Sequence, residues 1–188
     1  MAWLPTCSRL CRNLRTPLRT NAVDLRRPER ETVMIEKLGI IGAGQMGNGI
    51  AHVAAVAGYD VLLLDVDHGR LDAALETIEK NLARQVRRDL LSAEDKEAAL
   101  GRIATTFDYA KFADCDITIE SAAEDEAAKR DILKSLVPHL KDDALIANNT
   151  SSISITRLAA STDRPERFIG MHFMNPVPMM ELVELIRG

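Results

Sequence analysis

Six residues, Gly42-Ala43-Gly44-Gln45-Met46-Gly47, carry the spacing G-x-G-x-x-G. That spacing lets the first glycine make a tight turn and the second admit a diphosphate to the N-terminus of a helix. The third allows helix and strand to pack closely. Asp65 follows Gly47 by 18 residues, where a carboxylate would accept hydrogen bonds from the ribose hydroxyls of a dinucleotide. The same charge would repel a 2′-phosphate, so NAD is favoured over NADP. The blander alternative is a glycine-rich turn with an Asp at a strand end.

A second group of reactive residues lies in the last forty positions. Asn149-Thr150-Ser151-Ser152 follows an apolar run, Ala144–Asn148, and His172 ends another, Phe168–Phe173. Glu184 comes twelve residues after His172 on a further strand-like segment, Glu181–Ile186. An imidazole and a carboxylate on neighbouring strands can form a pair in which the acid fixes the tautomer and raises the basicity of the ring. On spacing alone, a structural histidine with a surface glutamate is the more ordinary reading. The Asn149–Ser152 segment is equally open to reading as a helix N-cap.

These residues need elements to hold them, and the hydropathy pattern supplies an alternation of strands and helices. Lys37–Gly42 and Asp60–Asp65 read as buried strands flanking a helix over Gln45–Gly58. An amphipathic helix is expected from Gly69 to Arg88, then a shorter one over Ala93–Leu100 with Ser92 as its N-cap. Strands at Ile103–Thr106 and Asp116–Glu120, a helix over Glu124–Val137 and a short helix over Ile153–Ala160 complete the alternation. Apolar strands separated by helices imply an α/β fold, a Rossmann-type doubly wound and mostly parallel sheet covered on both faces. The two helices between the second and third strands exceed what a crossover needs, which marks them as an insertion.

Composition narrows the class without naming a reaction. With 188 residues, 46% hydrophobic and 28% charged, the chain suits a globular domain, and its net charge of −4 carries no nucleic-acid footprint. No apolar run approaches the roughly 18 residues that span a bilayer. The charge breaks before Met34: residues 1–33 hold seven Arg against three acids. That basic and disordered-looking extension reads as an over-called start, a mitochondrial transit peptide over residues 1–23, or a basic arm; the domain proper is 34–188. Three cysteines, Cys7, Cys11 and Cys115, show no metal-ligand spacing and suit a reducing compartment, with Cys115 a core residue.

From about Ile35 onward the chain resembles the 3-hydroxyacyl-CoA dehydrogenase family, especially its bacterial 3-hydroxybutyryl-CoA members. The resemblance rests on Gly42–Gly49 (GAGQMGNG), Asn148–Ile155 (NNTSSISI) and Gly170–Glu184 (GMHFMNPVPMMELVE). It implies a Rossmann domain that binds NAD through the glycine loop, Asp65, Glu124 and Lys129, with Ser151 and Asn175 near the nicotinamide. His172 would be the acid/base, Glu184 its orienting carboxylate, and Ser151 a contact to the substrate's 3-oxygen. The substrate would be an L-3-hydroxyacyl-CoA, oxidised reversibly in fatty-acid or butanoate metabolism. The inserted helices correspond to a CoA-contacting arm, where Asn81 and Arg88 replace the family's usual Ser and Lys. The resemblance further implies a cytoplasmic homodimer, or a mitochondrial matrix one if a transit peptide is present, with no metal, nucleic acid or membrane partner. The family also has a helical C-terminal domain that contributes a catalytic Asn, and the sequence stops before it. Another Rossmann β-hydroxyacid dehydrogenase, or an NAD-binding fragment without catalysis, are the competing readings.

Overall fold

The structure is a computed structural model and describes residues 34–188, so the expectations attached to residues 1–33 lie outside the described residues. Seven strands form one sheet: β1 (Lys37–Ile41), β2 (Asp60–Leu64), β3 (Ile103–Thr106), β4 (Ile117–Glu120), β5 (Leu145–Asn148), β6 (Phe168–Phe173) and β7 (Val183–Ile186). Their order is β3-β2-β1-β4-β5-β6-β7. Every neighbouring pair is parallel except β6 and β7, which run antiparallel. The central strands read as unbroken apolar runs because both of their faces are covered; Ile40, Leu63 and Ile146 are all 0% exposed.

Among the described residues five α-helices cover the sheet: α1 (Gln45–Val56), α2 (His68–Val86), α3 (Ala93–Gly101), α4 (Glu126–Leu136) and α5 (Ile155–Ala159). The first three share one core layer with Ile40 and Leu63, while α4 and α5 pack with Leu62, Phe112 and Ile146 on the other. The two sets confirm a doubly wound sheet. Helix α2 is held by a stripe of Leu71, Ala74, Ile78 and Leu82, spaced three or four apart so that all fall on one face. Ile78 and Leu82 are fully buried, and each such side chain contributes about 1.5–3 kcal/mol relative to exposure. Ser92 caps α3 through Asp95 N at 2.9 Å, as the sequence suggests, and Asp67, which the sequence reading did not single out, caps α2 through Gly69 N at 2.8 Å.

Differences from expectation sit at element ends. Helix α2 stops at Val86, so Arg88 falls in the turn after it and is exposed. Helix α4 begins only at Glu126 because the Asp125 carboxylate accepts from Ala128 N, which makes Asp125 the cap and leaves Glu124 in the loop. The chain continues past Pro138 as a 3-10 turn, Val137–His139, since proline is tolerated in a first turn. Cys115 is buried, and burial pushes its thiol up to about 12, which leaves it protonated and unreactive in the core.

Chain order reverses between β1 and β4, where the connections leave toward opposite sides. In open parallel sheets that switch point opens a crevice at the carboxyl ends of the strands, and ligands bind there. The glycine loop, Asp65 and His172 all lie at that edge.

Candidate functional site

The glycine loop is shaped for close approach. Gly42 sits at φ 98°, a left-handed conformation, with Ser121 and Ala122 backbone against it. A Cβ on Gly47 would collide with the carbonyl oxygen of Gly42, so only glycine lets α1 start this near the strand. Helices α2 to α5 are each capped by a side chain, whereas Gly44 offers none to α1. The first-turn amides of α1 therefore lack a capping side chain, and a Cβ on Gly44 would meet no atom within 4 Å. That arrangement fits the diphosphate of a dinucleotide.

Asp65 follows directly on β2, and its carboxylate is already engaged. Oδ2 accepts from Ala43 N at 2.8 Å and Oδ1 from Asp67 N at 3.1 Å, with the residue 6% exposed. It therefore pins the glycine loop to the end of β2, and its remaining lone pairs are the ones available to a ribose.

A buried polar network lies under the other side of the crevice. Glu120, which ends β4, accepts from Lys129 Nζ at 2.9 and 3.2 Å, from Ala122 N at 2.7 Å and from Asn148 Nδ2. Glu120 and Lys129 are 0% and 1% exposed. Lys129 Nζ also lies 3.7 Å from Glu124. Glu124 in turn accepts from Thr150 Oγ1, from Ser152 Oγ at 2.9 Å and from Ser151 N at 3.3 Å. Burial alone would raise Glu124, but the hydrogen bonds from Thr150 and Ser152, with the Lys129 charge, outweigh it and hold the carboxyl below its usual range. Glu124 and Lys129 thus serve first to set the loop that carries Ser151. Any contact of Lys129 with a nucleotide would have to pass its Glu120 and Glu124 partners.

The acid/base candidates meet as direct cross-strand partners. The antiparallel register sets His172 opposite Glu184, and Nδ1 lies 3.2 Å from Oε2. The pair is only partly sheltered, with side chains 21% and 52% exposed. Such a carboxylate favours the tautomer with hydrogen on Nδ1, which leaves Nε2 free to take a proton. Twelve residues separate the two because a tight connection, with a 3-10 turn at Val177–Met179, returns the chain beside itself.

A cleft of about 400 Å³ lies between the glycine loop, α2 and the segment after β6; His172, Glu184, Ser151 and Asp65 are not among its lining residues. Gly44 and Gln45 of the glycine loop, Thr77 and Asn81 of α2, and Asn175 with Val177 beyond β6 line it. Asn81 and Asn175 are thus brought together with the nucleotide loop. Arg88 is not among the lining residues; Arg70, at the start of α2, is. Sequence reasoning missed Glu120, Asn148 and Arg70. A carboxylate closing the apolar run Ile117-Thr118-Ile119 is the signal that could have exposed Glu120. Among the described residues no cluster of His, Cys, Asp or Glu could hold a metal ion, and no helix is long and apolar enough to cross a membrane.

Known proteins resemble this chain in sequence and fold. Residues 37–188 match the family model described as 3-hydroxyacyl-CoA dehydrogenase, NAD binding domain. A 3-hydroxybutyryl-CoA dehydrogenase of Bradyrhizobium diazoefficiens is 61% identical over 155 residues, covering 82% of this chain and 53% of the relative. A probable 3-hydroxybutyryl-CoA dehydrogenase of Deinococcus radiodurans is 49% identical over 152 residues, covering 81% and 54%. Among solved structures, the (S)-3-hydroxybutyryl-CoA dehydrogenase of Ralstonia eutropha superposes with a TM-score of 0.81 at 46% identity, over 82% of this chain and 55% of that one. The chain therefore spans about half the length of the curated relatives it matches. Over the span matched, the chain belongs to the 3-hydroxyacyl-CoA dehydrogenase family, as its NAD-binding domain.

Proposed function

We propose that this domain is the half of a dehydrogenase that oxidises an L-3-hydroxyacyl-CoA, with 3-hydroxybutyryl-CoA the favoured substrate. The observation that carries the reading is the His172–Glu184 pair, 3.2 Å apart, on the sheet edge that also holds the dinucleotide loop. Bound NAD would accept the hydride released from C3 of the substrate. His172 takes the 3-hydroxyl proton as the hydride leaves and returns it in the reverse direction. Glu184 stabilises the imidazolium that forms, and a base so placed contributes about 10²–10⁴-fold. Ser151 is suited to hold the 3-oxygen, and Asn175 and Asn81 to line the path of the acyl-CoA. Asp65 with Gly42, Gly44, Gln45, Met46 and Gly47 would bind the nucleotide, supported by Glu124 and Lys129.

The names of the relatives support the substrate class: 3-hydroxybutyryl-CoA dehydrogenases, and the alpha subunit of a fatty acid oxidation complex in Psychrobacter cryohalolentis. Within the whole protein we assign the domain to fatty-acid or butanoate metabolism, as part of a cytoplasmic homodimer. The test separates binding from turnover. NADH and acetoacetyl-CoA are titrated individually by calorimetry, and NADH oxidation is then followed with both present. The same assays are run on this chain joined to the remaining length of the Bradyrhizobium relative. Saturable binding of both with turnover by the joined protein is expected. NADH binding without acetoacetyl-CoA binding in the joined protein would make the domain a nucleotide module and reject the reading.

A further inference from the structure

The parallel ladder between β5 and β6 stops short of the residues that matter. Its last register pair is Asn148 with Gly170, so the pairing with β5 ends before His172 and Phe173. On the other side these residues pair with β7, an edge strand. The side chain of Asn149 fills the gap, because its Oδ1 accepts from Phe173 N at 2.8 Å. The other end of the same amide donates from Nδ2 to Ser121 Oγ at 3.0 Å, and its backbone N donates to Glu120 O at 2.9 Å. Ser121 is in turn the residue whose backbone lies against Gly42. One planar amide therefore spans from the wall of the nucleotide loop to the residue next to His172.

We infer that Asn149 is a positioning residue that sets the height of His172 against the nucleotide wall by extending the sheet with its side chain. The inference rests on the acid/base role proposed above for His172, but its geometry does not depend on any substrate. An amide is suited to the task because it has an acceptor and a donor in one rigid plane. Asn149→Leu keeps the approximate shape and loses both bonds. Asn149→Asp keeps the acceptor for Phe173 N, and Ser121 can then donate its hydroxyl to the second oxygen.

The experiment uses the whole chain labelled with ¹⁵N and reads two signals that general loosening does not produce together. One is the hydrogen exchange of the Phe173 amide relative to Ile40, and the other is the His172 tautomer from long-range ¹H–¹⁵N correlations. In Asn149→Leu, Phe173 exchange should rise about fivefold or more, the equivalent of one ordinary hydrogen bond, while Ile40 is unchanged. The single His172 tautomer should become a mixture. Asn149→Asp should restore both signals. Equal behaviour of Leu and Asp variants, or an unaltered Phe173 and His172 in a folded Asn149→Leu, would overturn the assignment. If Asn149→Leu does not fold, Ser121→Ala cuts only the outer end of the bridge. Faster Phe173 exchange there supports the inference, and no change rejects it. Should these signals shift as expected while the joined protein never turns over acetoacetyl-CoA, the positioning role stands and the proposed reaction falls.

Discussion

Two carboxylates with nitrogen-bearing partners stand at the carboxyl edge of the same sheet in opposite surroundings. Glu120 and Lys129 are sealed at 0% and 1% exposure, with every oxygen of Glu120 bonded. His172 and Glu184 lie 21% and 52% exposed on the last two strands and share one contact. A sealed pair cannot exchange protons with a ligand, and removing either member strands a charge. An open pair costs little when it is broken and can meet a substrate. The first is suited to holding loops and the second to moving a proton.

The comparison breaks most visibly if the open pair is dispensable. His172→Gln, in the chain joined to the remaining length of a relative, is expected to lower acetoacetyl-CoA reduction by about 10²–10⁴-fold. NADH affinity and melting temperature should hold. Unaltered kcat would remove His172 from the chemistry.

The sealed pair should show the reverse pattern. Lys129→Met leaves Glu120 buried without its cation, and such single removals cost about 3–5 kcal/mol. Urea melts should therefore lose a large part of the stability, and the double change Glu120→Gln with Lys129→Met should recover some of it. A loss within about 0.5 kcal/mol, as at an ordinary surface site, would contradict the contrast.

Asp65 lies between the two extremes, 6% exposed at the end of β2 beside the glycine loop. Asp65→Ala should weaken NADH by roughly tenfold through the lost charge-assisted hydrogen bonds, and should narrow the preference over NADPH. Because Ala43 N also loses its acceptor, a smaller drop in melting temperature should accompany it. Equal binding of both cofactors before and after the change would place Asp65 outside the pocket.

The smallest effect concerns a buried group that is poorly partnered. His52 on α1 is 2% exposed, and neither ring nitrogen has a hydrogen bond of good geometry, the Gln85 side chain being its nearest polar neighbour. Burial lowers its pKa, and the weak contact with Gln85 offsets only part of that. A histidine lowered on folding binds its proton more readily when unfolded, so its contribution to stability is present above about pH 6.5 and is lost as the pH falls below it. His52→Leu should flatten the stability profile between about pH 7 and 5 and gain about 1 kcal/mol at pH 5 by removing the poorly partnered ring. The carboxylates Asp116 and Glu124 titrate below their usual range, so their losses fall at lower pH and should remain. A profile identical in both proteins would show that the ring is hydrated.

What the sequence discloses follows the same division. The glycine loop and the capped insertion are visible because their signals are local: glycines two and three apart, or Ser92 three residues before Asp95. The His172–Glu184 pairing also depends on a short return of chain, and the strand pattern suggests it. Glu120, Asn148 and Asn149 act through partners up to 28 residues away. No periodicity records that Asn149 spans two strand ends, since an Asn after a strand serves equally as a helix cap or a turn. The reach of α2 is similar: its amphipathic stripe predicts a long helix, but only the fold shows Arg70 on the cleft and Arg88 beyond it.

The strand order has a consequence for the order in which the domain can assemble. Leu38 on β1 pairs with Ile117 on β4, 79 residues later in the chain. At about 5–20 residues per second, roughly 4–16 s of synthesis separates the two halves of the sheet's centre. During that interval β1, β2 and β3 can pair with one another and gather α1 to α3, but one side of β1 stays uncovered. Gly42 likewise lacks the Ser121 and Ala122 backbone that closes against it. The nascent domain thus holds its glycine loop well before the backbone that closes against it exists, and a bare apolar strand edge marks the wait. Non-local pairing of this kind slows folding and invites association with other chains. Early ribosomal products ending before β4 should be the ones that chaperones retain.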